Sequence, residues 1–279
     1  GHRFMAPEEF TVTGMDDYLT QAEAHHVIPE VKKRQDLIEG QLKALEKQLG
    51  GIITPDAELL EEVGYLVETP QALAGNIEER FLQLPAELLI TSMREHQRYF
   101  TLSDDQGKLL PHFITIANTL AKDPQVVVRG NERVLRARLS DAMFFWQEDR
   151  KSLLETRLEP LKKVVYQAKL GTSFEKIERF KALAITLAEK FSPETVRLTE
   201  RAALLAKCDL ETGMVYEFPE LQGVMGREYA RLEGEDPRVS TAIFEHYLPT
   251  QAGGDLPSDD VGAFVSLADK IDTLCGCFG

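Results

Sequence analysis

Cysteine, histidine and long apolar runs are what this sequence has little of, and each scarcity removes a class of protein. Three cysteines in 279 residues, Cys208, Cys275 and Cys277, are too few for a disulfide framework. Cys275-Gly276-Cys277 lacks both the zinc-binding spacing and a second pair, so a reducing, cytoplasmic setting is expected. Of the six histidines none lies between His112 and His246, which strips the middle of the chain of the commonest metal ligand and acid-base group. No stretch approaches the ~18 uninterrupted apolar residues of a membrane span, so no membrane association is expected. The start, Gly1-His2-Arg3-Phe4, has neither a signal-peptide pattern nor an initiator Met, and the chain reads as a piece of something longer.

Positive charge is also in deficit. A net charge of −14 argues against a general nucleic-acid binder, and no DNA partner is expected. The average conceals a pattern. Residues 1–121 hold 10 Lys/Arg against 20 Asp/Glu, residues 122–208 hold 18 against 12, and residues 209–279 hold 4 against 14. A basic middle lies between two acidic ends, and an anionic partner would meet the chain there.

The apolar periodicity divides the chain into two parts. Val31, Ile38, Leu42, Leu45 and Leu49 share one helical face that Gly50-Gly51 ends. Thr54-Pro55-Asp56 opens a short acidic helix from Ala57. Strands are predicted at 63–69 and at Leu88-Leu89-Ile90. A hairpin is predicted from Gln97–Leu102 and Leu109–Ala117 around Ser103-Asp104-Asp105-Gln106-Gly107. Asn131 is a suitable N-cap for a long helix carrying Leu135, Leu139, Ala142 and Trp146. Beyond residue 152 the pattern is helical only, at 153–168, 173–191, 194–217, 220–232, 237–247 and 259–277. The expected fold class is α+β, a mixed α/β domain over 1–152 followed by an all-helical domain over 153–279.

Three constellations could carry chemistry. Arg129, Arg133, Arg136 and Arg138 crowd the start expected for the long helix, where the macrodipole favours anions. Glu132 with Arg136 and Arg138 with Asp141 stand at helix-pairing distances, while Arg129 and Arg133 have no such partner. A phosphate-bearing ligand would relieve the strain; the alternative is a solvated, self-paired helix. Next, Arg94, His96 and Arg98 interleave with Tyr99 and Phe100, a mixture that suits single-stranded nucleic acid or an ordinary strand end.

The third constellation is Asp209. Leu198, Ala202 and Leu205 form an apolar stripe whose next position is Asp209, and a buried carboxylate needs a partner or a metal. Metal-dependent HD phosphohydrolases use a His-Asp pair on such a helix, an upstream His and a later Asp. Leu267-Ala268-Asp269-Lys270-Ile271-Asp272 resembles the segment of the later Asp. However, Cys208 stands where the paired His would be, and the upstream His is missing. Asp209 and Asp269, with Cys208, are therefore expected to be the remnant of a metal site. Asp209 should be held by hydrogen bonds or a basic neighbour, with no metal and no catalytic residue here.

Longer signatures point to one family. Leu88-Leu89-Ile90-Thr91-Ser92-Met93-Arg94-Glu95-His96-Gln97-Arg98-Tyr99-Phe100 resembles the β subunit of bacterial glycyl-tRNA synthetases, as does the run from Arg129 to Ala142. So do Glu217-Phe218-Pro219-Glu220-Leu221-Gln222-Gly223-Val224-Met225-Gly226-Arg227 and Leu267 to Leu274. The resemblance covers nearly the whole chain, yet only a middle piece of such a subunit. It implies a first domain related to the editing-type domain of phenylalanyl-tRNA synthetase β chains and a second, degenerate HD domain. It implies an α₂β₂ enzyme whose α subunit uses ATP and Mg²⁺ to activate glycine, while the β subunit binds tRNA(Gly). This piece would then grip tRNA through Arg129, Arg133, Arg136 and Arg138, with Arg94, His96 and Arg98 in support, and would need no cofactor of its own. The rivals are a scaffold for the α subunit without tRNA contact, a working HD phosphohydrolase, and an editing hydrolase. For the last, no nucleophile-and-base pair is visible.

Overall fold

The computed structural model describes residues 1–279 and contains two compact units, Gly1–Asp141 and Ala142–Gly279. The first is built from α1 (Met15–Ala24), α2 (Val31–Leu49), β1 (Ile52–Ile53), α3 (Ala57–Leu66), β2 (Gln71–Asn76), α4 (Ala86–Gln97), β3 (Phe100–Ser103) and β4 (Leu109–Ala117). It also contains most of α5 (Pro124–Asp149), whose last two turns belong to the second unit. The four strands form one antiparallel sheet in the order β1-β3-β4-β2.

The predicted face of α2 builds the core of this unit. Ile38 and Leu42 are buried against Leu59 and Val63 of α3 and Leu102 and Ile114 of the sheet, with Leu45 and Leu49 at the margin. Gly50 ends α2 in the left-handed region (φ 67°), where a residue without Cβ is favoured. Asp56 caps α3, accepting a 2.8 Å bond from the Leu59 amide. The predicted hairpin is β3–β4, and its turn is held by Asp104 Oδ1, which accepts from the amides of Gln106 (3.0 Å) and Lys108 (2.8 Å).

Three sequence expectations differ here. Leu88-Leu89-Ile90 is no strand but the middle of α4, in which Leu88, Leu89, Ser92 and Met93 are buried at helical spacing. A three-residue apolar run cannot distinguish the two periods. Residues 63–66 finish α3, and the strand is the next segment, β2. Its Ala and Gly content hides it. Gly75 is required there: a Cβ would lie 2.3 Å from the ring of Phe113 on β4. The long helix begins at Pro124 rather than Asn131, because Asp123 caps it and Pro124 occupies the first turn.

The second unit continues from α5 through α6 (Leu158–Leu161), the hairpin β5 (Val165–Gln167) and β6 (Gly171–Thr172), α7 (Ser173–Phe191) and α8 (Val196–Leu205). Then come α9 (Gly213–Glu217), α10 (Val224–Leu232), α11 (Pro237–Glu245) and α12 (Asp260–Phe278). The architecture is thus α+β followed by helices. The small β5–β6 hairpin replaces the second half of the helix expected over 153–168; Gly171 turns it in the left-handed region (φ 86°). Thr172 and Glu175 form a reciprocal capping box that fixes the start of α7. The single helix expected over 194–217 is broken after Leu205, and Asp209 sits in a 3₁₀ turn, Cys208–Glu211. Helices α7, α8, α11 and α12 pack together around Phe180, Ala184, Ala202, Leu205, Ile243, Val265 and Ala268, all fully buried.

Candidate nucleic-acid interface

Helix α5 buries Val128, Leu135 and Leu139 in the first unit and turns Arg129, Arg133 and Arg136 outward. Spacing of four and three residues places these arginines on one stripe, roughly 100° around the helix from the buried one and spanning ~10 Å along the axis. Arg133 is exposed and engaged by no ion pair or hydrogen bond. Arg129, 63% exposed, comes only within 3.9 Å of Asp123. Arg136 is half exposed and pairs with Glu78. Glu132 does not pair with Arg136 as its spacing suggests; it accepts a 2.9 Å bond from the Asn76 amide. Since α5 starts at Pro124, the arginines lie beyond its first turn, and the expected clash with the helix dipole does not arise. Their distinction is exposure, alignment and, for Arg133, the lack of any counter-charge.

Arg138 faces the other way. Its Nη2 lies 2.9 Å from Nε2 and 3.0 Å from Nδ1 of His96, so these two residues meet each other. Arg94 and Arg98 are also occupied. Arg94 Nε donates to Asp56 at 2.6 Å, Nη2 lies 3.1 Å from Glu58, and Glu95 takes Nη1; Arg98 pairs with Glu62. These bonds tie the end of α4 to α3. Tyr99 is buried, stacked on Phe113 with centroids 4.4 Å apart, and donates to Asn131 Oδ1 at 2.6 Å. Phe100 is in the core. The aromatics expected to receive bases are thus interior, and Arg94 and Arg98 contribute to packing. Asn131, expected as a cap, serves as the acceptor for Tyr99.

In the second unit Asp209 is fully buried. Its Oδ2 accepts from the amides of Gly223 (2.5 Å) and Gly226 (3.1 Å) where α10 begins, while Oδ1 has no partner. Burial pushes its pKa up to about 6, although the two amides and Lys207 act against this. Asp269 does not join it in a ligand set: Lys207 Nζ lies 2.9 Å from Asp269 Oδ2 and Lys176 Nζ 2.8 Å from Oδ1. Burial opposes ionisation of Asp269, but these two ammonium groups hold it at about 2. Cys208 is buried, with its thiol pushed up out of the reactive range by the same burial. His246, also fully buried, has Nδ1 2.6 Å from the Ile243 carbonyl, so that nitrogen carries the proton and Nε2 stays bare. No group of three or more His, Cys, Asp and Glu side chains is arranged to hold a metal ion. The arrangement is a charge-compensated interior that joins α7, α12 and the turn after α8.

The raised Asp209 pKa gives a signed expectation. Between pH 4 and 6 the folded state holds a proton that the unfolded state has released, so this group's contribution to stability falls as pH rises through that window and beyond to about 7. An asparagine at this position would not titrate. Relative to the wild type, Asp209→Asn should therefore gain about 1–2 kcal/mol between pH 5 and pH 8 in urea unfolding. A difference that is flat or falls with pH contradicts the assignment.

Sequence reasoning missed the charged centre nearest to α5. Asp149, at its last residue, is buried and accepts from the amides of Gly213 (2.8 Å) and Met214 (2.9 Å) and from the Tyr229 hydroxyl (3.0 Å), and pairs with Arg157 at 3.2 Å. In sequence it is one acid among Gln147-Glu148-Asp149-Arg150, and only the fold marks it out. Lys207 stands two residues before Asp209 in sequence, but its ammonium group pairs with Asp269, and only the fold shows this.

Comparison with known proteins bears on the whole chain. The family model described as glycyl-tRNA synthetase beta subunit matches residues 1–279. The chain is 68% identical over its full length to the glycine–tRNA ligase beta subunit of Syntrophotalea carbinolica, covering 41% of that relative. It is 62% identical to the corresponding subunit of Geobacter sp. strain M21, covering 40%, and 61% identical to that of Geobacter sulfurreducens, covering 41%. The chain thus spans about two fifths of the length of the relatives it matches.

Proposed function

Because the chain belongs to the glycyl-tRNA synthetase β-subunit family, we propose that it is the part of a glycine–tRNA ligase that grips tRNA(Gly) and helps to assemble the subunits. In this reading glycine activation, with ATP and Mg²⁺, resides on the α subunit of a cytoplasmic α₂β₂ enzyme. The proposed domains are an editing-type domain and a degenerate HD domain, placed over 1–152 and 153–279 by the sequence, whereas the compact units divide after Asp141.

The carrying observation is the exposed Arg129, Arg133 and Arg136 stripe, with Arg133 wholly uncompensated. An aligned row of guanidinium groups on a rigid helix suits the regularly spaced phosphates of one RNA strand, and it supplies affinity without reading bases. Arg94, His96, Arg98 and Arg138, each engaged within the chain, are the weaker candidates for the same role. No helix of the chain is long and apolar enough to cross a membrane.

The two carboxylates of the HD-like centre are taken up by peptide N–H groups and lysines, which speaks for structure over phosphohydrolysis. The scaffold reading has one observation in its favour: Arg136 already pairs with a carboxylate, as it would on an acidic protein surface. Charge reversal along the stripe in the assembled enzyme separates the two. Loss of tRNA affinity with intact α-subunit association supports tRNA gripping; loss of α-subunit association with unchanged tRNA affinity favours the scaffold.

A further inference from the structure

Helix α12 carries large apolar side chains on two faces, while Asp269, Lys270 and Asp272 form its polar side. Its inner face is enclosed: Val261, Phe264, Val265 and Ala268 pack on α7, α8 and α11. Its outer face is open. Leu267, Ile271, Leu274 and Phe278, at i, i+4, i+7 and i+11, form a single stripe opposite the core and are 51%, 39%, 56% and 88% exposed. Four large apolar side chains in line at that spacing are the recognition pattern of helix-on-helix packing rather than isolated surface residues.

We infer that this stripe seats a helix of the same polypeptide, drawn from the part of the full-length subunit that this chain does not cover. The inference rests on family membership and is independent of the tRNA-binding assignment, which concerns α5. Two observations select this occupant. Relatives carry more than half of their length outside the matched region, since the chain covers 40–41% of them. The stripe is also small: four such side chains bury on the order of a few hundred Å². A stable association of separate molecules needs about 800 Å² per partner. Docking within one chain avoids the loss of translational freedom, so a small apolar seat suffices.

The test places a thiol on the stripe. In a background of Cys275→Ser and Cys277→Ser, with Cys208 buried, Leu274→Cys is labelled with a maleimide and compared with Glu189→Cys, an exposed position on α7. In the full-length β subunit alone, labelling at 274 should be at least ~10-fold slower than at 189; in the 279-residue chain the two rates should match. Equal rates in the full-length subunit overturn the inference. So does protection that appears only after the α subunit is added, and so does concentration-dependent protection in the 279-residue chain, which would mean a second copy.

Discussion

Replacing Arg129, Arg133 and Arg136 together by Glu should weaken tRNA(Gly) binding by the assembled enzyme about 100-fold at 0.15 M salt. Each cation that neutralises a phosphate releases most of one counterion, so it contributes about 1 kcal/mol at that ionic strength and about 0.7–0.9 to the salt slope. Three lost contacts give about 3 kcal/mol, and log affinity against log salt should become shallower by about 2–3. The repulsion of three new carboxylates adds to the loss. Fold should survive, because all three arginines face solvent and only Arg136 has a close partner. An intact thermal transition with an unchanged salt slope would remove these residues from the RNA contact. A parallel change at Arg94 would serve as a contrast, because its guanidinium is occupied by Asp56, Glu58 and Glu95.

Asp149→Ala should be the most damaging single substitution in the second unit. A carboxylate at the last residue of a helix is disfavoured by the macrodipole, so its presence at the end of α5 requires compensation. Two amides, the Tyr229 hydroxyl and Arg157 supply that compensation at 2.8–3.2 Å. Truncation leaves the two amides and the Tyr229 hydroxyl without an acceptor. It also takes the carboxylate from the Arg157 guanidinium, which is 17% exposed and keeps only the carbonyls of Asp149 and Glu211. Removal of one partner from a buried pair costs about 3–5 kcal/mol. That corresponds to a drop of roughly 10–17 °C in the melting of this unit. Asp149→Asn keeps an acceptor for some of these donors and should fall between. A loss below about 1 kcal/mol in urea unfolding would show that the network carries little of the stability.

The legible parts of the fold were those with local punctuation. The capping box at Thr172 and Glu175 gives the start of α7, and Asp104 to Gly107 gives the β3–β4 turn, because each interaction lies within a few residues. Leu88-Leu89-Ile90 misled because three adjacent apolar residues fit either period, and burial of Ser92 and Met93 on the same side belongs to tertiary packing. The arginines were legible as chemistry, but their place on α5 was not until Asp123-Pro124 is taken as the helix start. Asp209 was correctly expected to be buried, with hydrogen bonds or a basic neighbour. Its partners are Gly223 and Gly226, across a break in the helix that periodicity did not register. Lys176 and Lys207 reach Asp269 across more than sixty residues of chain, and Asp149 reaches Gly213 across a similar span, distances at which a single sequence carries no pairing signal. Family membership, by contrast, was carried by contiguous motifs.

What Arg133 faces when the enzyme holds tRNA decides between tRNA gripping and a protein interface. A photo-crosslinking residue placed at position 133 of the assembled enzyme, irradiated with tRNA(Gly) bound, answers this directly. A crosslink to the RNA backbone that disappears at high salt is the expected product. A crosslink to the α subunit, with none to tRNA, would contradict the account and make the stripe part of a protein interface.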